Sequence, residues 1–315
     1  MSSHPVERIR IGSRASTLAL WQSNAVGERL CAAHPRLQVS IVEIESDGDI
    51  DRTTPFAALG MTGVFTRRLE RALLRDEIDV AVHSLKDLPS EMPNGLVLGA
   101  FLPREDARDV LITEAGAGLD ALPELPLIAT GSPRRRAQIL LHRTDARFAG
   151  IRGNIETRLS RYRDSGAHAL VLAAAGLHRL GLSDRITAYL GLDELVPAPG
   201  QGIVVAECRA ADTRTRDLLA SITHPDAFHA AAAERALLAS LGGGCQAPIG
   251  AHATVTADEL SLSAVVLAPD ASRVVRRAAT GPATNAADLG RDLAAELIAA
   301  GAHEILALCR EEPPR

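Results

Sequence analysis

The stretch VFTRRLERALLRDEIDVAV, Val64 to Val82, decides the fold class. Residues 64–77 predict a helix, and IDVAV (78–82) predicts an apolar strand. A helix that feeds straight into a strand is half of a crossover unit, and the pattern recurs on both sides of it. Upstream lie a strand in RIRIG (8–12), an amphipathic helix in STLALWQSNAVGERLCAAH (16–34) and a strand in LQVSIVEI (37–44). Beyond Leu102 the alternation resumes with PLIAT (126–130), a helix in PRRRAQILLHR (133–143), RFAGI (147–151), a helix in NIETRLSRYRDSG (154–166) and a strand in HALVLAAAG (168–176). Such alternation predicts an α/β architecture with a mainly parallel sheet.

At 315 residues the chain exceeds what one hydrophobic core usually serves, so two or three domains are expected. LPREDARDV (102–110) reads as a crossing linker. LDELVPAPGQG (192–202) is rich in proline and glycine, and the strand IVVAEC (203–208) after it is expected to return to the first domain. From Thr223 the character changes to a long alanine-rich helix, strands around AHATVTADELSLSAVVLA (251–268) and RVVRRAAT (273–280), a final helix from about Asn285 and a disordered tail. The expected division is 1–102 with 203–220 and 103–202 as two α/β domains, with 221–315 as a smaller α+β domain. IGSRAST (11–17) and ATGSPRRR (129–136) both run strand, Gly-Ser, arginine, helix start. Either the two lobes are variants of one scaffold facing each other across a cleft, or the likeness is chance.

Hydrophobic residues make up 46% of the chain and aromatics 3%, and the net charge of −5 gives no whole-molecule attraction to nucleic acid or acidic membranes. Any basic site must be local. No apolar run approaches the roughly 18–20 residues of a membrane helix, and the polar start MSSHPVERIRIGSR has no apolar core, so a cytoplasmic protein is expected. Cys31, Cys208, Cys245 and Cys309 are scattered without a C-x-x-C pair, which argues against a zinc site or disulfide framework and suits a reducing compartment. DGDID (47–51) resembles the start of a calcium loop. Arg52 and Ala58 stand where that loop needs glycine and glutamate, so no metal is expected.

The local basic site is legible. In TGSPRRRAQ (130–138) Pro133 suits the first helical position, and Arg134, Arg135 and Arg136 fill the first turn, where the helix dipole disfavours cations. That placement calls for a nearby anion; an exposed turn paired with surface acids is the alternative. From Arg134 to Arg163 there are nine arginines against Asp145 and Glu156. Arg152 sits at a strand end with Gly153 and Asn154 allowing a sharp turn, Arg158 falls one turn into the next helix, and Arg161 and Arg163 read as solvated. Guanidinium groups meet carboxylates and phosphates bidentately, so a small polyanion is the expected ligand. Only Phe148 and Tyr162 interleave, too few for base stacking, and no phosphate-binding glycine motif occurs. A carboxylate-rich organic molecule fits best.

AVHSLKDLP (81–89) places ionisable residues at a strand end, where α/β sheets keep their ligands. If the chain stays extended, Lys86 and Asp87 point to opposite sides. Asp87 either accepts N–H hydrogen bonds and stabilises a developing cation, or caps the turn before Pro89; His83 reads as packed or supporting. In SLGGGCQAPIG (240–250) Cys245 follows a helix C-terminus, whose dipole disfavours a thiolate. The glycines supply backbone freedom that lets the sulfur reach into a cleft. A cysteine hydrolase would need His252 or His224 as its base, and simple burial is the third possibility.

IGSRAST, VHSLKDLP, GSPRRRAQ, IRGNIETRL, AAAGLHRLGL, PAPGQG and GGGCQAPIG, in this order from Ile11 to Gly250, closely resemble the porphobilinogen deaminase (hydroxymethylbilane synthase) family. The resemblance implies two α/β domains similar to periplasmic binding proteins plus the smaller third domain. It implies a transferase of tetrapyrrole (heme) biosynthesis that joins four porphobilinogen units, releases ammonia and frees hydroxymethylbilane with water. Loss of ammonia leaves an electrophilic azafulvene, attacked by a free pyrrole α-carbon. By resemblance Cys245 holds a dipyrromethane cofactor through a thioether, and Asp87 is the catalytic aspartate. Ser16, Lys86, Ser132, Arg134 and Arg135 match cofactor contacts; Arg14, Arg152, Arg158 and Arg179 match the arginines for substrate carboxylates; Gln201 falls at the interdomain crossing. The expected partner is porphobilinogen alone, for a monomer without metal, nucleic acid or membrane. Many relatives carry lysines in the loop before Val64, where this chain has Ala58 and Thr62. A non-catalytic dicarboxylate sensor is the rival, and Cys245 discriminates, since a sensor has no use for a covalent adduct.

Overall fold

Strand β1 (Glu7–Ser13) lies between β2 (Leu37–Glu43) and β3 (Val80–Ser84), parallel to both. The computed structural model in which it is seen describes residues 7–44, 66–114, 116, 118–242 and 247–311. The chain divides into two compact units, Met1–Arg104 with Ile203–Phe228, and Glu105–Gly202 with His229–Arg315.

In the first unit the sheet order is β2-β1-β3-β10-β4, with β4 at Leu96–Phe101 and β10 at Val204–Arg209. β10 runs antiparallel to both neighbours, so the sheet is mixed rather than mainly parallel. Helix α1 (Thr17–Ala33) sets Val26 and Leu30 among Ile9, Ile11, Val80, Val82 and Val204 on one face. Helix α2 (Arg67–Leu74) sets Leu69, Ala72 and Leu73 among Ile78, Ala81 and Leu96 on the other. Side chains alternate along a strand, and β3 sends Val80 and Val82 one way and Ala81 the other. Burial on both faces is why residues 80–82 read as a continuous apolar run.

The second unit repeats the plan. Its larger sheet runs β7-β6-β8-β5-β9, from β5 (Asp109–Ile112), β6 (Leu127–Ala129), β7 (Arg147–Ala149), β8 (Ala169–Ala173) and β9 (Ala188–Tyr189). β6 is parallel to β7 and β8, and β5 is antiparallel to β8 and β9, the same sequence of directions as in the first sheet. Helix α3 (Pro133–His142) covers one face through Ile139, which packs among Leu111, Ile128 and Val171. Helices α4 (Ile155–Asp164) and α5 (Ala174–Arg179) cover the other, with Leu159, Tyr162 and Leu177 against Val110, Ile112, Leu170 and Leu172. The Gly-Ser echo between the two halves is therefore matched by sheet topology. LPREDARDV is not wholly a linker, because its last two residues begin β5.

The remainder is α+β. Strands β11 (Ile249–Thr256), β12 (Glu259–Leu267) and β13 (Val274–Pro282) form an antiparallel sheet. Helices α7 (Pro225–Ser240), α8 (Ala286–Ala299) and α9 (Ala302–Glu311) accompany it, α6 being Thr213–Ala220 in the first unit. Leu237, Leu262, Leu293, Leu297 and Ile305 are among its buried core. Ala137 of α3 and Val196 pack with Val265 and Leu267 of β12, inside the second unit. Gly250 allows that approach, since a Cβ there would sit 2.8 Å from the Val196 carbonyl oxygen. Among the described residues no helix is long and apolar enough to cross a membrane.

Candidate active site

At the end of β3 the chain does not stay extended. Leu85–Asp87 form a 3-10 turn, held where the Leu85 N–H donates to the Ile203 carbonyl at 3.0 Å and the Leu88 N–H to the Leu85 carbonyl at 3.1 Å. Leu85 and Leu88 are buried and force the turn, which separates Lys86 and Asp87 by about a third of a revolution rather than half. Asp87 is exposed and Lys86 half-buried. His83 is packed, its Nε2 3.1 Å from Glu207 Oε2.

Arg14 is half-buried between β1 and α1. Ser16 caps α1, its Oγ accepting the Ala19 N–H at 3.4 Å. Ser132 does the same for α3 with the Arg135 N–H, also at 3.4 Å. A serine in this position satisfies one of the N–H groups a helix start leaves unpaired. Both candidate serines thus sit at helix N-termini on equivalent edges of the two sheets.

The anion that the arginine-rich turn calls for comes from the chain itself. Arg134 Nη2 donates to Asp109 Oδ2 at 2.8 Å, and Arg135 donates to Asp109 Oδ1 from Nε at 3.0 Å and from Nη2 at 2.6 Å. Arg134 Nη1 also reaches the Val196 carbonyl at 2.7 Å, and Arg135 Nη1 the Val171 carbonyl at 3.0 Å. Gln201 Nε2 completes the group, donating to the Ala107 carbonyl at 2.6 Å and to Asp109 Oδ1 at 3.0 Å. All four side chains are buried. Burial alone would raise the Asp109 pKa, but the two guanidinium groups outweigh it and hold the carboxyl well below its usual range. Burial draws Arg134 below its ordinary value, against the pull of Asp109.

Asn154 caps α4, its side-chain oxygen accepting the Thr157 N–H at 2.8 Å, and Arg158 Nε donates to the Gly153 carbonyl at 2.8 Å. Ala129, Ala149, Gly150, Ile151, Arg152, Arg161 and Ser165 line a pocket of about 260 Å³. Ala129 and Ala149 are the last residues of β6 and β7, the strand ends at which α/β sheets hold ligands. Arg161 is exposed, as a solvated residue should be, and also lines this pocket, donating from Nη1 to the Arg152 carbonyl at 3.2 Å. Arg179 ends α5, donates from Nη2 to the Gly202 carbonyl at 2.6 Å, and is pushed down to about 10 by burial, with Glu105 opposing. Cys245, Ala58, Thr62 and the DGDID segment lie outside the described residues.

Two residues escaped the sequence reading. Asp109 lay in an acid-rich stretch that reads as exposed, although three first-turn arginines were the signal that a carboxylate must lie nearby. Glu234 lay inside an alanine run; it is fully buried, accepting the Gly200 N–H and the Ala253 N–H at 2.6 Å each. It ties the PAPGQG loop to β11.

Among solved structures, the periplasmic VFT2 domain of BvgS from Bordetella pertussis is similar over 68% of this chain and 86% of its own, at 15% identity and a TM-score of 0.41. The methionine binding protein MetQ is similar over 68% and 88%, at 11% identity and a TM-score of 0.42. A curated porphobilinogen deaminase of Geobacter metallireducens is 46% identical over 301 residues, 96% of this chain and 94% of the relative. Those of Geobacter sulfurreducens and Pelobacter propionicus are 45% and 43% identical over 302 residues, again 96% of this chain, and 95% and 97% of those relatives. The family model for the porphobilinogen deaminase dipyromethane cofactor binding domain matches residues 9–217, and that for the C-terminal domain matches residues 228–299. The chain therefore belongs to the porphobilinogen deaminase family.

Proposed function

We propose that this chain joins four porphobilinogen units head to tail, with one ammonia released per unit, on a dipyrromethane bound through a thioether to Cys245. The observation that carries this reading is the 46% identity to a porphobilinogen deaminase over 96% of the chain. The three domains are 1–102 with 203–220, 103–202, and 221–315; separate sheets and the family-model boundary between 217 and 228 support that division. The protein acts as a cytoplasmic monomer, without metal, nucleic acid or membrane.

The residues fit an acidic oligopyrrole. Asp109 sets one negative charge against the two positive charges of Arg134 and Arg135, so the buried cluster keeps a surplus positive charge. An uncompensated buried charge costs several kcal/mol, on the order of 3–5, and a pyrrole acetate or propionate placed beside it would supply the match. Arg14, Arg152, Arg158 and Arg179 hold further carboxylates as the chain lengthens. Lys86, Ser16 and Ser132 contact the cofactor.

Asp87 performs the chemistry from its turn. Its carboxylate accepts pyrrole N–H hydrogen bonds and stabilises the positive charge that develops as the aminomethyl C–N bond breaks and ammonia leaves. The dipyrromethane supplies the first free pyrrole α-carbon. Each step forms one C–C bond at such a carbon, which gives up its proton, and leaves a new free α-carbon at the end of the chain. After four additions the C–C bond between the cofactor's α-carbon and the first unit's methylene would break, that α-carbon taking back a proton and water adding to the methylene, so that the product departs with a hydroxymethyl end and the dipyrromethane stays on the sulfur. The test is turnover: purified protein incubated with porphobilinogen should yield ammonia and a linear tetrapyrrole in a ratio of about four to one. Porphobilinogen left unchanged by folded protein would overturn the reading.

A further inference from the structure

The last two residues of β3 are each held by a polar side chain, one on each face of the sheet, immediately before the turn that carries Lys86 and Asp87. On the α1 face Gln22, 3% exposed, donates from Nε2 to Ser84 Oγ at 2.8 Å. On the α2 face His83 Nε2 lies 3.1 Å from Glu207 Oε2, and the Glu207 side chain is wholly buried. His83 stands opposite Val205 and Ala81 opposite Glu207 in the antiparallel register, so Glu207 is the diagonal neighbour of His83 on the same face. Glu207 Oε1 has no hydrogen-bond partner among the described residues. Glu70 of α2 is buried on the same face; burial raises its pKa, the Thr66 side chain opposes this, and the Glu207 charge adds to it.

Stability alone would favour apolar side chains here, as at Val80 and Val82 just before. A buried carboxylate with an unmatched oxygen is destabilising, and apolar residues of similar volume in place of a buried polar pair are often neutral or better. Directional hydrogen bonds fix a rotation and a register that apolar contact leaves loose. We propose that Gln22 and the His83–Glu207 pair are positioning residues that fix the 3-10 turn from both faces and so set the aim of Asp87. This rests on the reading of Asp87 as the group that meets the substrate.

The test compares cofactor-loaded full-length protein, checked by intact mass, as wild type, Gln22→Leu, His83→Leu/Glu207→Leu and His83→Gln. The double variant removes both partners of the pair together, so neither is left buried alone and the fold should survive. The expected result for Gln22→Leu and the double variant is a fall in kcat of about tenfold or more with KM within about twofold, since a misaimed catalytic group loses transition-state contacts alone. Their unfolding midpoints should stay near wild type, and His83→Gln, which keeps a donor for Glu207, should recover most of kcat. Folded, loaded Gln22→Leu and double variants with kcat within about twofold of wild type would overturn the inference. So would a loss of activity that merely follows the unfolded fraction. If the double variant does not fold, Gln22→Leu decides by the same criteria. A wild type inert toward porphobilinogen overturns the functional reading and this inference with it, whereas an active wild type with unaffected variants overturns the inference alone.

Discussion

Two guanidinium groups and a glutamine amide converge on Asp109, which is fully buried. Asp109→Asn leaves Arg134 and Arg135 buried without a countercharge, and should cost about 3–5 kcal/mol in urea unfolding. The sign with pH follows from the depressed carboxyl. Its stabilisation is complete above the ordinary value of 3.8 and fades as pH falls below that toward the folded value. The variant should therefore lose part of the acid sensitivity of the wild type between about pH 4 and pH 2. Asp87 behaves oppositely. Because it is exposed on its turn, Asp87→Asn should leave stability within about 0.5 kcal/mol of wild type while lowering kcat by about 10²–10³-fold. Equal kcat in a porphobilinogen assay would contradict its role. The need for a carboxylate near the arginines was visible in the sequence; which carboxylate was not, because Asp109 is more than twenty residues away in chain order and only β-pairing brings it there.

Among elements, those that alternate with strong apolar periodicity could be read directly: α1, β2, α3 and α4 fall inside the stretches that predict them, β1 exceeds its stretch by one residue at each end, and β3 is shifted two residues beyond its own. β4 and the start of β5 could not. Both border a stretch broken by proline and four charged residues, Pro103 to Arg108, and each is recognisable only through an antiparallel partner far along the chain. The 3-10 turn at Leu85–Asp87 was hidden for a related reason: burial of Leu85 and Leu88 decides it, and a periodicity of two cannot show that. Helix packing offers a test at this scale. Gly290 of α8 meets the Ala233 backbone of α7 so closely that a Cβ would collide with its carbonyl. Gly290→Ala should lower stability by about 1–3 kcal/mol although alanine is the better helix former by about 1 kcal/mol. A raised unfolding temperature would contradict the packing.

For the whole molecule, the two larger sheets share strand order and directions, yet the chain loads them differently. The first unit presents an exposed carboxylate on Asp87; the second gathers buried arginines and the pocket that Arg152 lines. Lengthening an acidic product should therefore depend on the second unit more than bond formation does. Arg152→Leu is expected to remain folded while enzyme species with fewer pyrroles accumulate by mass after limited porphobilinogen; a wild-type distribution of species would reject this. The central claim is a sulfur tether at Cys245, and the mass of freshly purified active protein, denatured and mapped by peptides, tests it most directly. A two-pyrrole increment on the peptide that bears Cys245, lost in Cys245→Ser, is the predicted result; active protein with that peptide unmodified would contradict it.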